Sequence, residues 1–251
     1  MPNNRERIKQ ILVFIATIGV IVINYLAGIG YVNNITPAAI ALKYPTMITP
    51  AGYAFSIWAL IYLGLLSFSI YQFFAPNPEK LRALRSVYIL SCAANCLWIY
   101  CWHHELTAAC LGIIFVLLAT LAFINIKMRQ TETYSEYWFV KAPFGLYFGW
   151  VTTATILNAT VMLVSFNVMV PDSTALILGA ALLFIAGALG VIICLKLKNY
   201  FYPLSIAWAL TAIAVGHGAQ TLIVSAAAVG VSACLIAALS FVLHMKSSEI
   251  R

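Results

Sequence analysis

The stretch TPAGYAFSIWALIYLGLLSFSIYQ, residues 49–72, decides the class of fold. It is an apolar run long enough to cross a bilayer, opened by Thr49 and Pro50 and free of charged side chains. Phe55, Trp58 and Tyr62 recur at helical spacing, so a helix starting near Tyr53 sets them about a turn apart on one face, as a column instead of a ring. Most membrane Trp and Tyr sit in belts at the water interface. At 1.5 Å per residue, Trp58 lies roughly 7–8 Å and Tyr62 roughly 13 Å inside such a helix, too deep for a belt. Rings at that depth pack between helices or line a cavity.

The remainder of the chain has the same character. Of its 251 residues 63% are hydrophobic and 8% charged, with a mean hydropathy of +0.97, which excludes the soluble classes. Eight apolar segments stand out, at about 11–32, 53–75, 86–102, 106–126, 141–166, 174–195, 201–216 and 219–243, each near the ~20 residues a bilayer core demands. The seventh is short and runs into the eighth through GHGAQ. The first is too long for the core of a signal peptide and reads as an uncleaved span. The expected fold is an all-α polytopic membrane protein with about eight transmembrane helices.

The charges test this count independently of hydropathy. With the N-terminus inside, thirteen of the fourteen Lys and Arg fall on the inner side and only Lys43 falls outside. Adding or dropping one span breaks that alternation. The reading is therefore a bacterial cell membrane protein with both termini cytoplasmic. Since the net charge of +7 is explained by orientation, nucleic acid is discarded as a partner and membrane lipids are retained.

Residues 33–52 form the longest outer connection, with three prolines and little charge. Such a loop either rests on lipid headgroups or covers the outer end of the bundle as a lid. Spans six to eight are rich in small residues, with Ala186 and Gly190, and Ala226 and Gly230, at small-xxx-small spacing. They are expected to pack as a scaffold without essential ligand contacts.

Candidate chemistry is sparse. No Asp, Glu, Lys or Arg sits in the middle of a span, which counts against ion-coupled transport, proton pumping and voltage sensing. HExxH, GxSxG and Walker motifs are absent, and no catalytic residue is assigned. The six cysteines lie in or beside apolar runs and read as small packing residues. CWHHE, residues 101–105, with His217, contains competent metal ligands, but adjacent histidines at one helix end diverge, so no metal is assigned. The amides say more. Asn24, Asn95 and Asn158 lie seven or eight residues from the outer ends of their spans, roughly 10–12 Å deep and level with Trp58 and Tyr62. Interhelical hydrogen bonding, worth around 0.6–2 kcal/mol per contact, accounts for any single one. Amides and aromatic rings at one level together point to a pocket.

These residues resemble the TspO/MBR family, the tryptophan-rich sensory proteins that include the mitochondrial translocator protein. Pro50, Trp58 and Tyr62 resemble the family's Pro-x7-Trp-x3-Tyr core. Asn95 and Trp98 stand at its Asn-x2-Trp spacing, and Pro143, Trp150, Ala154 and Asn158 resemble its Pro-Tyr…Trp-x3-Ala-x3-Asn. The chain departs from the pattern at Ile48 and Thr49, where the family has Trp-x-Pro before the proline, and at Ser56 and Ile57, where it has Gly-Pro. Porphyrin or sterol specificity is therefore not carried over. The resemblance covers about residues 11–166. It implies a five-helix bundle (11–166), to which hydropathy and the charges add a cytoplasmic N-terminus (1–10), three additional helices without a counterpart in the five-helix family (167–245) and a cytoplasmic tail (246–251).

What the resemblance implies is a membrane binding or sensory protein for a hydrophobic, planar, tetrapyrrole-like molecule, with no other cofactor assigned and a homodimer left open. Phe55, Trp58, Tyr62, Asn95, Trp98, Trp150, Ala154 and Asn158 are the expected ligand-binding residues, in the outer half of the bilayer. Two alternatives stand beside this reading. A transporter of porphyrins or other hydrophobic metabolites would show substrate counterflow in vesicles, and a porphyrin-degrading enzyme would show light-dependent turnover of bound pigment.

Overall fold

The structure, a computed structural model, describes residues 4–76, 78–131 and 133–249, with side chains as far as residue 240. Ile250 and Arg251 of the expected tail, and residues 1–3 of the expected N-terminal segment, lie outside the described residues, as does the side chain of Lys246. The described residues form ten α-helices: α1 (Asn4–Gly28), α2 (Pro37–Lys43), α3 (Ile57–Tyr71), α4 (Pro78–His103), α5 (Thr107–Lys127), α6 (Tyr134–Glu136), α7 (Ala142–Ser165), α8 (Asp172–Leu197), α9 (Tyr202–Gly216) and α10 (Thr221–Glu249). Seven helical stretches are long and apolar enough to cross a membrane, and α9 is a shorter apolar helix. The protein is an all-α polytopic membrane protein. At 15 residues α9 rises about 22 Å, short of the ~30 Å hydrocarbon core, which is why its segment also looked short in the sequence.

Proline sets several boundaries. Pro50 disfavours helix at Thr49, and the chain enters α3 through a 3₁₀ turn at Gly52–Ser56. Pro78 opens α4, where its missing N–H costs nothing. Between α6 and α7 lies a π-helical turn, Tyr137–Lys141, in which the Ala142 N–H reaches back five residues to the Tyr137 carbonyl. Pro143 follows directly. It has no N–H to give and its ring crowds the carbonyl four residues earlier, and the wider turn accommodates both.

The described residues form two compact units, one within Met1–Lys43 and Ser56–Phe144, the other within Tyr44–Phe55 and Gly145–Arg251. The chain thus passes between units at 43/44, 55/56 and 144/145, the last within α7.

In the first unit α4 packs on α1, α2 and α5, and α1 packs on α3. Phe68, Tyr88 and Phe144, fully buried, meet edge to face with centroids 4.9–5.6 Å apart. The Tyr88 hydroxyl lies 2.7 Å from that of Thr17, which also donates to the Val13 carbonyl. Gly64 lets α3 approach Pro143, since a Cβ there would stand 2.9 Å from the proline ring.

In the second unit α8, α9 and α10 pack on one another. A Cβ at Gly187 would lie 2.9 Å from the Gly230 Cα, so the two glycines set the closest approach of α8 and α10. Along α7, a Cβ at Gly149 would run into the Tyr202 carbonyl oxygen. The same seam is pinned by Ser205 Oγ donating to the Leu146 carbonyl at 2.6 Å and Tyr202 Oη donating to Thr152 at 3.0 Å. Hydrogen bonds tie residues 44–55 to this unit. The Ala51 N–H donates to the Ala212 carbonyl at 2.9 Å, His217 Nε2 to the Thr49 carbonyl at 3.1 Å, and Trp208 Nε1 to the Ala54 carbonyl at 2.9 Å.

Candidate functional site

In the first unit, Trp58 and Tyr62 stand one turn apart on α3 with rings stacked, centroids 5.2 Å apart and planes 13° apart. On α4, Trp98 stacks on Trp102 at 5.4 Å and 19°, both rings being buried. Asn95, one turn before Trp98, is fully buried, and its Oδ1 accepts from Asn24 Nδ2 at 2.7 Å. The depth arithmetic that set Asn24 and Asn95 level is realised as this bond. α4 therefore carries a buried stack of two indoles with a buried amide one turn before it.

The aromatic column expected on one helix is split. Phe55 falls in the 3₁₀ turn, which winds three residues per turn instead of 3.6, and it belongs to the second unit, where its ring meets Trp150 edge to face at 6.0 Å and 79°. Only Trp58 and Tyr62 share a face of α3. In the second unit Trp150, Ala154 and Asn158 follow at four-residue spacing on one face of α7, and Asn158 Nδ2 donates to the Ala154 carbonyl at 2.8 Å. Trp150 and Asn158 are buried and Ala154 half-buried. The structure thus groups Trp58 with Tyr62 and Asn95 with Trp98 in one unit, and Phe55 with Trp150, Ala154 and Asn158 in the other.

The connection at residues 33–52 is docked, not draped. Its first half contains α2. Asn33 Nδ2 donates to the His103 carbonyl at 2.9 Å, Trp102 Nε1 donates to the Pro37 carbonyl at 3.1 Å, and Lys43 pairs with Glu105 at 2.5 Å. These contacts hold α2 against the end of α4 that carries Trp98 and Trp102. The half from Tyr44 onward belongs to the second unit.

His103 and His104 each turn Nδ1 to the carbonyl four residues back on their own helix, Ile99 and Tyr100, at 2.8 and 2.9 Å. Among the described residues no three His, Cys, Asp or Glu are grouped to hold a metal, and the six cysteines are free.

A cavity of about 560 Å³ in the second unit contains none of the expected ligand-binding residues; of the features singled out in the sequence it takes in only His217 and part of the 33–52 connection. It lies between the end of α7, the first three turns of α8 and the turn 45–48, with Met47, Leu163, Leu178 and Leu182 among its walls. Asn167, Asp172, His217 and Gln220 form its polar end. The available signal was the connection FNVMVP, residues 166–171, which is too apolar for a solvated loop and is followed by a lone Asp172.

A family model described as TSPO-like protein matches residues 10–241, taking in α8, α9 and most of α10 as well as the motif-bearing α3, α4 and α7. No curated protein and no solved structure matches the chain.

Proposed function

This chain belongs to the TSPO-like protein family, and from that membership we propose that it is a membrane binding or sensory protein for a hydrophobic, planar small molecule of the tetrapyrrole class. The observation that supports it best is the stacked pair Trp98 and Trp102 beside the buried amide of Asn95. Flat aromatic surface with a few fixed polar groups suits a large planar ring bearing polar edges. The residues to test are Trp58, Tyr62, Asn95 and Trp98 in the first unit, and Phe55, Trp150, Ala154 and Asn158 in the second. The proposed orientation, both termini cytoplasmic in a bacterial cell membrane, rests on the distribution of Lys and Arg. A C-terminal reporter active only on the outer side would refute it.

The binding test is titration of protoporphyrin into wild type, Trp98→Ala and Trp138→Ala, the last removing a ring that is 52% exposed. Loss of one indole wall is expected to cost about 1–3 kcal/mol, or about 5- to 150-fold in affinity. Trp138→Ala should bind as wild type. A folded Trp98→Ala that binds as tightly as the control overturns the assignment.

A further inference from the structure

The cavity of the second unit is a groove with a direction. Along α8, Asp172, Ala175, Gly179 and Leu182 fall on one face over ten residues, roughly 15 Å, or half of the ~30 Å hydrocarbon core. Its walls open outward, with Leu163 and Leu178 44% and 52% exposed, and the adjoining Val168, Met169 and Val170 are exposed as well. Its floor is Met47, seated where Gly179 has no side chain, since a Cβ there would come within 2.8 Å of the Met47 Cβ. The turn carrying Met47 is held by Thr46 N–H donating to Thr49 Oγ1 at 2.9 Å and by the His217 bond to Thr49.

The polar groups gather where α7 ends and α8 begins. The two other polar side chains of the lining are already engaged: Thr160 donates to the Leu157 carbonyl at 2.8 Å, and the Thr46 hydroxyl lies 3.1 Å from that of Thr49. Asp172 is the one acidic group of the lining, and no Lys or Arg lines the groove. An occupant therefore needs an apolar chain about one leaflet long, a cation for Asp172, and acceptors for the amide N–H groups of Asn167 and Gln220. An anionic head would be repelled, and a neutral alcohol head would leave the carboxylate without a counter-charge.

We propose that this groove binds one acyl chain of a phospholipid with a protonated ethanolamine head, its ammonium on Asp172 and its phosphate accepting from Asn167 and Gln220. The site is independent of the tetrapyrrole reading. It gives α8, expected from sequence to be scaffold alone, a ligand-binding face.

The test uses the full-length protein in mixed micelles with ethanolamine and glycerol phospholipids of identical chains, with bound lipid counted by native mass spectrometry. Wild type should retain the ethanolamine lipid about two- to fivefold over the glycerol lipid, the range of a solvent-accessible ion pair. Asp172→Asn, at an exposed position, should abolish that preference while lipid remains bound. Ala175→Trp should lower retention of both lipids. Equal retention of the two lipids by wild type, or an undiminished preference in Asp172→Asn, overturns the proposal. So does a folded Ala175→Trp that loses a dimer and keeps its lipid, which would make a second copy of the chain the occupant. If Ala175→Trp does not fold, Asp172→Asn decides.

Discussion

Arg85 is 1% exposed, and two of its three guanidinium nitrogens are bound: Nη1 donates to Glu6 at 2.8 Å and Nε to Gln72 Oε1 at 3.0 Å, while Nη2 is buried without a hydrogen-bond partner among the described residues. Gln72 and Gln10 then exchange side-chain-to-backbone bonds at 3.0 Å each, so one cluster ties α1 to α4 and to the residue after α3. Removing one partner of a buried pair leaves the other charge uncompensated, whereas replacing both by apolar groups is often neutral. Glu6→Ala should accordingly destabilise the protein by roughly 3 kcal/mol, and Glu6→Ala with Arg85→Met should recover most of that loss. Thermal unfolding in detergent reads both, and a double variant no more stable than the single would show that the cluster is not a coupled pair. In sequence Arg85 reads as an orienting charge at a span end. Its burial depends on a partner 79 residues away, which hydropathy does not register. Asn24 and Asn95 were legible to a greater degree, because depth follows from counting residues, while the helix rotation that joins them does not.

The elements of the second unit are spaced by what their glycines lack. At Gly149 a methyl group would meet the backbone oxygen of Tyr202, which cannot swing aside as a side chain can, whereas at Gly112 on α5 nothing lies within 4 Å. Gly149→Ala should force α7 and α9 apart and cost about 1–3 kcal/mol. Gly112→Ala should be neutral or stabilise by up to about 1 kcal/mol through helix propensity. Melting temperatures of the two variants compare them directly, and equal effects would mean that α7 and α9 are not in backbone contact. The α8–α10 seam was legible as small residues at four-residue spacing, and Gly187 facing Gly230 belongs to it. The break before α3 was not, since an apolar run looks the same wound as α-helix or as a 3₁₀ turn, and so Phe55 reads as a member of a column that it leaves.

At the scale of the whole molecule, the class of fold was plain from hydropathy and the family from three short motifs, but the division into units was not. That division rests on pairings such as Trp208 with Ala54, 154 residues apart. A fragment ending at residue 166 would keep α7 and residues 44–55 but lack Tyr202, Ser205, Trp208, Ala212 and His217, which hold them. Expressed alone it should be polydisperse in detergent, and co-expression with residues 167–251 should restore a monodisperse complex. A monodisperse 1–166 fragment with the full protein's protoporphyrin affinity would instead show a self-sufficient five-helix bundle. The bond from His217 to Thr49 spans 168 residues. At a synthesis rate of about 5–20 residues per second, the turn around Thr49 is made roughly 8–34 seconds before its anchor exists. For that interval its backbone groups must be satisfied by water, lipid headgroups or the insertion machinery, so the speed of translation becomes a variable in how well this protein is assembled.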